Sequence, residues 1–175
     1  VYAAGVAPGD EVITSPYTMS ATSTAILMCG ATPIFADIED VTFGLDPASV
    51  ESLITSQTKA ILVVNIFGHA ARLTELKEIA DKHGLYLIED NSQAPGALHN
   101  ERYTGTIGDM GIFSFNRHKV MQSGEGGVVL TDDDELAQRM SLFRNHGEVI
   151  AESLQVMDIS NTAGLNLRMT EMEAA

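Results

Sequence analysis

Short apolar runs alternate along the chain with segments in which apolar residues recur at helical spacing. Residues 60–67 form a continuous apolar run, which is typical of a central strand buried on both faces of a sheet. Leu73, Leu76 and Ala80 instead follow a 3.6-residue period, which indicates the buried face of an amphipathic helix. The same patterns predict six strands, at 11–14, 33–38, 60–67, 86–89, 111–115 and 127–130, and four helices, at 20–29, 46–54, 73–83 and 133–143.

This alternation of strands with helices of about ten residues predicts the fold class. Strands joined by helical crossovers run parallel and form right-handed βαβ units, which place helices on both faces of the sheet. We therefore predict an α/β protein, a three-layer αβα fold with a mainly parallel sheet. Functional residues are expected at the carboxyl ends of its strands. Between 148 and 162 the periodicity fades, and this segment is predicted to lie on the surface or to contact a partner.

The two ends of the chain resemble parts of interrupted helices. Residues 1–5 look like the last turn of a helix, and residues 169–175 look like a helix that has just begun. A length of 175 residues suits one domain. We therefore expect a piece of a longer protein, a single domain over residues 1–175 that is incomplete at both ends.

Composition and charge exclude several functions. The chain has 24 acidic and 10 basic residues and a net charge of −14, which disfavours nucleic-acid binding because such proteins carry a basic surface. The same balance disfavours a basic membrane-binding surface, and no apolar run reaches the roughly 18 residues that span a bilayer. Cys29 is the single cysteine, so we interpret it as a core thiol of a cytoplasmic protein. The five histidines show no metal-ligand spacing.

The strongest chemical signal is one lysine between two glycine-punctuated strands. Residues 108–131 read GDMGIFSFNRHKVMQSGEGGVVLT, in which Ser114 lies five residues before Lys119 and a GEGG turn begins five residues after it. Asp90 closes an apolar strand upstream. A pyridoxal phosphate (PLP) site requires such a pair. The lysine amine forms a Schiff base with the cofactor aldehyde, and the carboxylate keeps the pyridine nitrogen protonated.

Several segments resemble the DegT/DnrJ/StrS-type sugar aminotransferases, PLP enzymes of the aspartate aminotransferase fold. The pattern GIFSFxxxKxxxxGEGG is similar to the segment that carries their Schiff-base lysine. The match continues in order and spacing over nearly the whole chain, through APGDEVIT, GATPIFADI, TKAILVVNIFG, IEDNSQAPGA, LFRNHG and GLNLRMTEMEAA. The resemblance implies that residues 1–175 are a PLP-binding large domain and that the C-terminal small domain is absent from this chain.

The resemblance also implies roles for individual residues. Lys119 would hold PLP, and the carboxylate of Asp90 would pair with the pyridinium nitrogen. Gln93 would lie against the cofactor ring and its 3-oxygen, and Ser114 would donate to the phosphate. Asn166 would reach the phosphate of a neighbouring subunit's cofactor, so the site would lie at the interface of a homodimer.

Some positions depart from the family pattern. Met19 stands where an aromatic residue commonly stacks on the cofactor ring, with Tyr17 two residues earlier. A thioether can also pack on a ring, so Met19 is a candidate cofactor contact, and a core methionine is the alternative. Leu165 stands where the family often has tyrosine. His118, beside Lys119, is a candidate substrate contact. The family's glycine-threonine phosphate loop would precede the chain.

The resemblance implies a PLP-dependent aminotransferase that moves an amino group, usually from glutamate, to a keto sugar linked to a nucleotide. A keto-cyclitol acceptor fits the same residues. A sugar dehydratase of the same fold is disfavoured by Lys119, because such relatives carry histidine there. A nicotinamide dehydrogenase is disfavoured because no G-x-G-x-x-G follows the first strand. A non-catalytic fragment or a dimerisation scaffold remains the other alternative.

Overall fold

The computed structural model describes residues 1–148 and 163–175. Its strands are β1 (Glu11–Thr14), β2 (Thr32–Phe35), β3 (Thr58–Val64), β4 (Tyr86–Asp90), β5 (Leu98–His99), β6 (Arg102–Tyr103), β7 (Met110–Ser114) and β8 (Gly127–Leu130). Six of them form one sheet in the order β2-β1-β3-β4-β7-β8, and β5 and β6 pair as a separate hairpin. All neighbours in the large sheet are parallel except the antiparallel pair β7–β8.

Aspartate side chains cap the starts of two helices, and a glycine ends a third helix. They are α1 (Ser20–Leu27), α2 (Pro47–Ser52), α3 (Leu73–His83), α4 (Asp134–Arg144) and α5 (Glu171–Ala174), with short 3₁₀ turns at Tyr2–Ala4 and Ile66–Gly68. The carboxylate of Asp46 accepts the Ala48 N–H at the start of α2, and Asp133 accepts the Leu136 N–H in α4. Gly84 ends α3 with φ 66°, a left-handed conformation that glycine adopts without strain.

Alternate residues of the central strands enter two different apolar cores. On β3, Ile61 and Val63 pack with the buried residues of α2 and α3. Ala60 and Leu62 face the opposite side, where they pack with residues of α1, α4 and the first 3₁₀ turn. Helices therefore cover both faces of a mainly parallel sheet. This arrangement confirms the predicted three-layer αβα fold.

The structure differs from the sequence prediction at the ends of two strands. β3 stops at Val64, not at residue 67, because the buried Asn65 side chain leaves the ladder for polar partners and Ile66–Gly68 turns. β2 stops at Phe35, because the Asp37 N–H donates to the Ser49 hydroxyl and the chain turns towards α2. The β5–β6 hairpin was not predicted, since two-residue strands are too short to show a period.

Three further observations concern membrane spans, metal sites and the segment after α4. No helix within 1–148 or 163–175 is long and apolar enough to cross a bilayer. In the same ranges, no group of three or more His, Cys, Asp or Glu side chains is placed to hold a metal ion. The segment predicted to contact a partner, 148–162, lies outside the described residues except for Glu148.

Candidate active site

The carboxyl ends of the parallel strands lie along one side of the sheet, which we call the carboxyl edge. Most of the predicted site residues lie there. Asp90 is the last residue of β4, and Ser114 is the last residue of β7. Asp90 pairs in register with Ile112, so Ser114 lies two residues further on, about 7 Å along the strand direction. Lys119 follows in the loop between β7 and β8. Asp90, Ser114 and the lysine loop therefore lie at one edge.

The Asp90 carboxylate is oriented by two hydrogen bonds. The Thr22 hydroxyl of α1 donates to Oδ2 at 3.2 Å, and the Ser92 N–H donates to Oδ1 at 3.2 Å. The Thr22 oxygen also lies 3.0 Å from that of Thr18, one helical turn earlier. No lysine, arginine or histidine forms an ion pair with Asp90 in the part of the chain that the structure describes. The carboxylate is thus held in place and free to pair with a cationic ring.

A fully buried carboxylate lies directly before Asp90. Glu89 Oε1 accepts the N–H groups of Ile107 and Gly108, both at 2.7 Å. Its Oε2 accepts the Gly105 N–H at 2.6 Å and the Asn65 amide at 3.1 Å. Four donors surround one buried charge, which compensates for its removal from water. The network ties loop 105–108 to the end of β4 and so fixes the backbone that carries Asp90.

Gln93 joins the loop after β4 to the turn after β3. Its Oε1 accepts the Phe67 N–H at 3.1 Å. Phe67 has φ 56°, an unusual backbone conformation for a residue with a bulky side chain. The expected contact of Gln93 with a cofactor ring stays a prediction, but its side chain has a defined partner at the carboxyl edge.

The lysine loop is closed on itself by Asn116. Its Nδ2 donates to both carboxylate oxygens of Glu125 at 2.9 Å, and its Oδ1 accepts the His118 N–H at 3.1 Å. Gly126 has φ 139°, so the GEGG turn requires glycine at this position. The Lys119 N–H donates to the Asn116 carbonyl at 2.8 Å. Asn116 therefore sets the conformation of the segment that presents Lys119.

The side chain of Lys119 differs from those of two other lysines. Lys77 pairs with Asp81 at 2.5 Å and with Asp109 at 3.0 Å. Burial lowers the pKa of Lys77, but its hydrogen bonds to these carboxylates outweigh the effect and raise it above its usual range. Lys82 pairs with Glu51 at 2.6 Å. Lys119 has no ion-pair partner among the described residues.

Three further candidate residues, Met19, His118 and Asn166, lie in different parts of the structure. Met19 precedes α1 and is 66 % exposed, so it belongs to neither apolar core of the described residues. His118 is exposed, and its Nε2 accepts from Arg117 Nε at 3.2 Å. Asn166 is exposed and pairs with Asn145 at the end of α4, where no described hydrogen bond connects it to the other predicted site residues. Its expected role in a neighbouring subunit stays a prediction.

Sequence reasoning missed Thr22, Glu89 and Asn116 as site residues. The alternation of side chains along a strand was a signal for Glu89. Two successive residues of a strand face opposite sides of the sheet, so Glu89 and Asp90 cannot both face the same side. Thr22 lies in the first turn of α1 and Thr18 lies just before that helix, so no helical spacing marked their contact in advance. Asn116 gave no signal, because its role depends on the loop's closure onto Glu125.

One cavity of the described residues lies away from these groups. It measures about 770 Å³ and lies between β8, α4 and the first 3₁₀ turn. Asp90, Ser114 and Lys119 are not among its lining residues. The candidate site is thus separate from this cavity.

Comparison with known proteins connects this geometry with a family. The chain is 43 % identical over 174 residues to a pleiotropic regulatory protein of Geobacillus stearothermophilus, covering 99 % of this chain and 45 % of the relative. It is 39 % identical over 178 residues to the GDP-perosamine synthase of Caulobacter vibrioides, covering 99 % and 46 %. It is 41 % identical over 179 residues to the L-glutamine:2-deoxy-scyllo-inosose aminotransferase of Streptomyces kanamyceticus, covering 99 % and 42 %.

Solved structures agree with these sequence relatives. An aminotransferase from Psychrobacter cryohalolentis superposes with a TM-score of 0.92 at 37 % identity, covering 99 % of this chain and 46 % of that one. A Bacillus subtilis protein solved with bound cofactor PMP gives a TM-score of 0.87 at 35 % identity, covering 99 % and 38 %. The chain spans about half the length of the curated relatives it matches.

The sequence profile of the DegT/DnrJ/EryC1/StrS aminotransferase family matches residues 1–175, which is the entire chain. The expected resemblance is therefore confirmed along the same segments that form the β4 end and the lysine loop. The chain belongs to the DegT/DnrJ/EryC1/StrS aminotransferase family.

Proposed function

We propose that this chain forms the PLP-binding large domain of an aminotransferase that transfers an amino group to a keto sugar. The family and the relative solved with bound PMP, the amino form of the cofactor, indicate pyridoxal phosphate. One observation carries the proposal. At a single edge of the sheet, the Asp90 carboxylate has no cationic partner and the Lys119 amine has no acidic partner among the described residues. PLP would provide a partner for both groups, a protonated ring nitrogen for the carboxylate and an aldehyde for the amine.

Asp90 and Lys119 would do the central chemistry. When bound, PLP supplies an electron sink for negative charge that develops at the substrate Cα. Asp90 keeps a proton on the pyridine nitrogen, and the bonds from Thr22 and Ser92 hold its carboxylate in one orientation. Lys119 would hold the cofactor through its amine. With that amine free, Lys119 Nζ would be the base that takes the proton from the substrate Cα.

The remaining predicted residues would position the cofactor and substrate. The Ser114 hydroxyl at the end of β7 is a donor for a phosphate oxygen. Gln93 and Met19 would lie against the ring, and His118 would contact the substrate beside Lys119. Asn166 would serve the phosphate site of a second subunit, so we infer a homodimer. The single free cysteine, Cys29, favours a cytoplasmic location.

Two acceptor classes deserve direct comparison. A nucleotide-linked keto sugar is favoured by the resemblance and by 39 % identity to a GDP-perosamine synthase. A keto-cyclitol is favoured by 41 % identity to an aminotransferase named for 2-deoxy-scyllo-inosose. The name of that relative also contains L-glutamine, so L-glutamine and L-glutamate are both candidate donors.

The test uses the full-length protein loaded with PLP. Borohydride reduction followed by peptide mass spectrometry is expected to place the pyridoxyl group on Lys119. Lys77 and Lys82 serve as internal controls, because carboxylates already pair with both amines. L-Glutamate or L-glutamine alone should convert the bound cofactor to its amino form. Label on Lys77 or Lys82, or no conversion with either donor, would contradict the proposal.

A second arm tests Asp90. Asp90→Asn should still bind PLP but slow conversion by the donor by about 100-fold or more, because the neutral amide no longer favours a protonated pyridine nitrogen. Single-turnover absorbance measurements give this rate directly. A wild-type rate in the variant would make Asp90 a structural residue only.

A further inference from the structure

Three aromatic side chains gather at the carboxyl edge outside the predicted cofactor residues. Tyr17 follows β1, Phe43 follows β2 and Phe67 follows β3. The Tyr17 ring centroid lies 6.5 Å from that of Phe43 and 5.9 Å from that of Phe67, with interplanar angles of 57° and 72°. We call these three residues the aromatic cluster. Tilted contacts of this kind leave part of the ring faces uncovered, whereas parallel stacking would cover them.

The aromatic cluster contributes little to the core. Its rings remain 46 %, 44 % and 60 % exposed in Tyr17, Phe43 and Phe67. An exposed group of adjacent apolar side chains costs solvation and commonly marks a binding surface. The cluster lies beside the candidate site, because the Phe67 N–H donates to Gln93 three residues beyond Asp90.

The backbone of the aromatic cluster is held by polar side chains. Phe43 and Phe67 have φ of 60° and 56°, left-handed values that cost about 1–3 kcal/mol each for such residues. The Glu39 carboxylate pins the loop of Phe43 by accepting the N–H groups of Val41 at 2.9 Å and Thr42 at 2.7 Å. Two exposed rings are therefore held on strained backbone by polar contacts, as expected for a preorganised recognition surface.

We propose that the aromatic cluster is the subsite that receives the ring of the keto-sugar acceptor. The axial C–H groups of a saturated ring make an apolar face that packs on an aromatic ring, and its hydroxyls remain free for polar neighbours. A saturated ring presents such a face whether or not it carries a nucleotide. This proposal rests on the proposed aminotransferase function, and it names the residues that select the acceptor over the donor.

The test measures the two half-reactions of the full-length enzyme separately, with 2-deoxy-scyllo-inosose and a GDP-linked keto sugar as acceptor probes. Tyr17→Leu and Phe67→Leu should raise KM for the accepted probe roughly 3- to 10-fold, as expected for the loss of one ring contact. The rate of conversion by the amino donor and the PLP affinity should stay at wild-type values. Tyr17→Phe, which keeps the ring, should restore most of the acceptor KM.

Tyr2→Leu is the matched control. The exposed fraction of Tyr2, 43 %, is similar to that of Tyr17. The Tyr2 ring, however, stacks on Phe143 of α4 with 4.0 Å between ring centroids. Its substitution should leave the acceptor KM unchanged. A normal donor half-reaction with an unchanged acceptor KM in Tyr17→Leu and Phe67→Leu would overturn the subsite alone.

Two other results would also contradict the subsite. If the wild-type enzyme shows no donor half-reaction, the aminotransferase function itself fails, and the subsite with it. If the Tyr17 and Phe67 variants lose their oligomeric state in size-exclusion chromatography, the aromatic cluster is a contact between subunits.

Discussion

The end of β4 and the loop after β7 lie at the same edge of the sheet, but they are stabilised in different ways. At β4, the buried Glu89 side chain binds four donors, and the strand is covered by helices on both faces. In the lysine loop, Asn116 and Glu125 hydrogen-bond to each other at the surface, and all four residues of β8 are exposed. Fold stability is therefore concentrated beneath Asp90, whereas a surface loop carries the lysine.

The largest expected effect separates chemistry from stability in the lysine loop. Lys119→Ala should lower transamination roughly 1000-fold or more, since the proposed function assigns to Lys119 both the covalent attachment and the base. Its free energy of unfolding should change by less than about 0.5 kcal/mol, because the side chain makes no ion pair in the described structure. Steady-state kinetics and urea unfolding of the full-length protein check both. A large loss of stability would break the comparison.

Glutamate-to-glutamine substitutions compare the two regions directly. Glu89→Gln should cost about 2–4 kcal/mol of unfolding free energy, because an amide nitrogen replaces one acceptor oxygen and leaves two buried donors unpaired. Glu125→Gln should cost less than about 1 kcal/mol, since Glu125 is exposed and water can replace its partner. Urea titrations of both variants measure the difference. Equal losses would show that the lysine loop is as integral to the fold as β4.

A valine pair tests the strands themselves. Val63 on β3 is fully buried, whereas Val129 on β8 is 43 % exposed. Val63→Ala should cost about 2 kcal/mol, and Val129→Ala less than about 1 kcal/mol, because truncation loses free energy in proportion to the buried groups removed. Thermal unfolding of the two full-length variants gives both values. If Val129→Ala costs as much as Val63→Ala, other parts of the whole protein bury β8.

A smaller effect is expected at Thr22, a buried residue of α1 that donates to Asp90. Thr22→Val removes the hydroxyl that donates to Asp90 and keeps the shape of the side chain. It should reduce the donor half-reaction about 3- to 10-fold, as expected for one hydrogen bond to a charged group. It should also change the pH profile of the cofactor absorbance. Thr22→Ser, which keeps the hydroxyl, should behave as wild type. Similar behaviour of both variants would remove Thr22 as a positioning residue.

The smallest effect concerns acid stability at Glu39. Burial raises the pKa of Glu39, but hydrogen bonds from Thr42 and from the Val41 and Thr42 N–H groups outweigh it and hold the pKa below its usual range. Stability from this group is therefore present above the unfolded value of about 4.3 and is lost as pH falls through the lowered folded value. The contribution should stay below about 1 kcal/mol because Glu39 is partly exposed. Glu39→Gln should remove this part of the acid dependence in unfolding titrations from pH 5 to pH 2.

Much of the fold could be predicted from the period of the apolar residues. The run of β3 and the stripe of α3 are long enough to define a strand and a helix, and they appear where expected. The strand ends were less predictable. Asn65 ends β3 because its side chain has buried partners on β4, and no local pattern records those partners.

The candidate site follows the same division. The position of Asp90 at a strand end and the spacing of Ser114 and Lys119 were visible in the sequence, and the parallel sheet brings their segments to one edge. Glu89 and Thr22 were not visible as partners. Their contacts join residues 16 to 68 positions apart, and only the packing of α1 and loop 105–108 against β4 creates them.

The fold class and the family follow from the sequence alone, because they depend on periodicity and on short ordered motifs, and the same motifs indicate the candidate groups for PLP. Only the tertiary structure decided which carboxylate is buried and which remains available, and which aromatic rings remain exposed beside Gln93. The physical reason is that burial and hydrogen bonding depend on distances between segments far apart in the chain. Glu89 and Asp90 are adjacent acids in the sequence. In the folded chain, Glu89 is buried and binds backbone donors of loop 105–108, whereas Asp90 faces the candidate site.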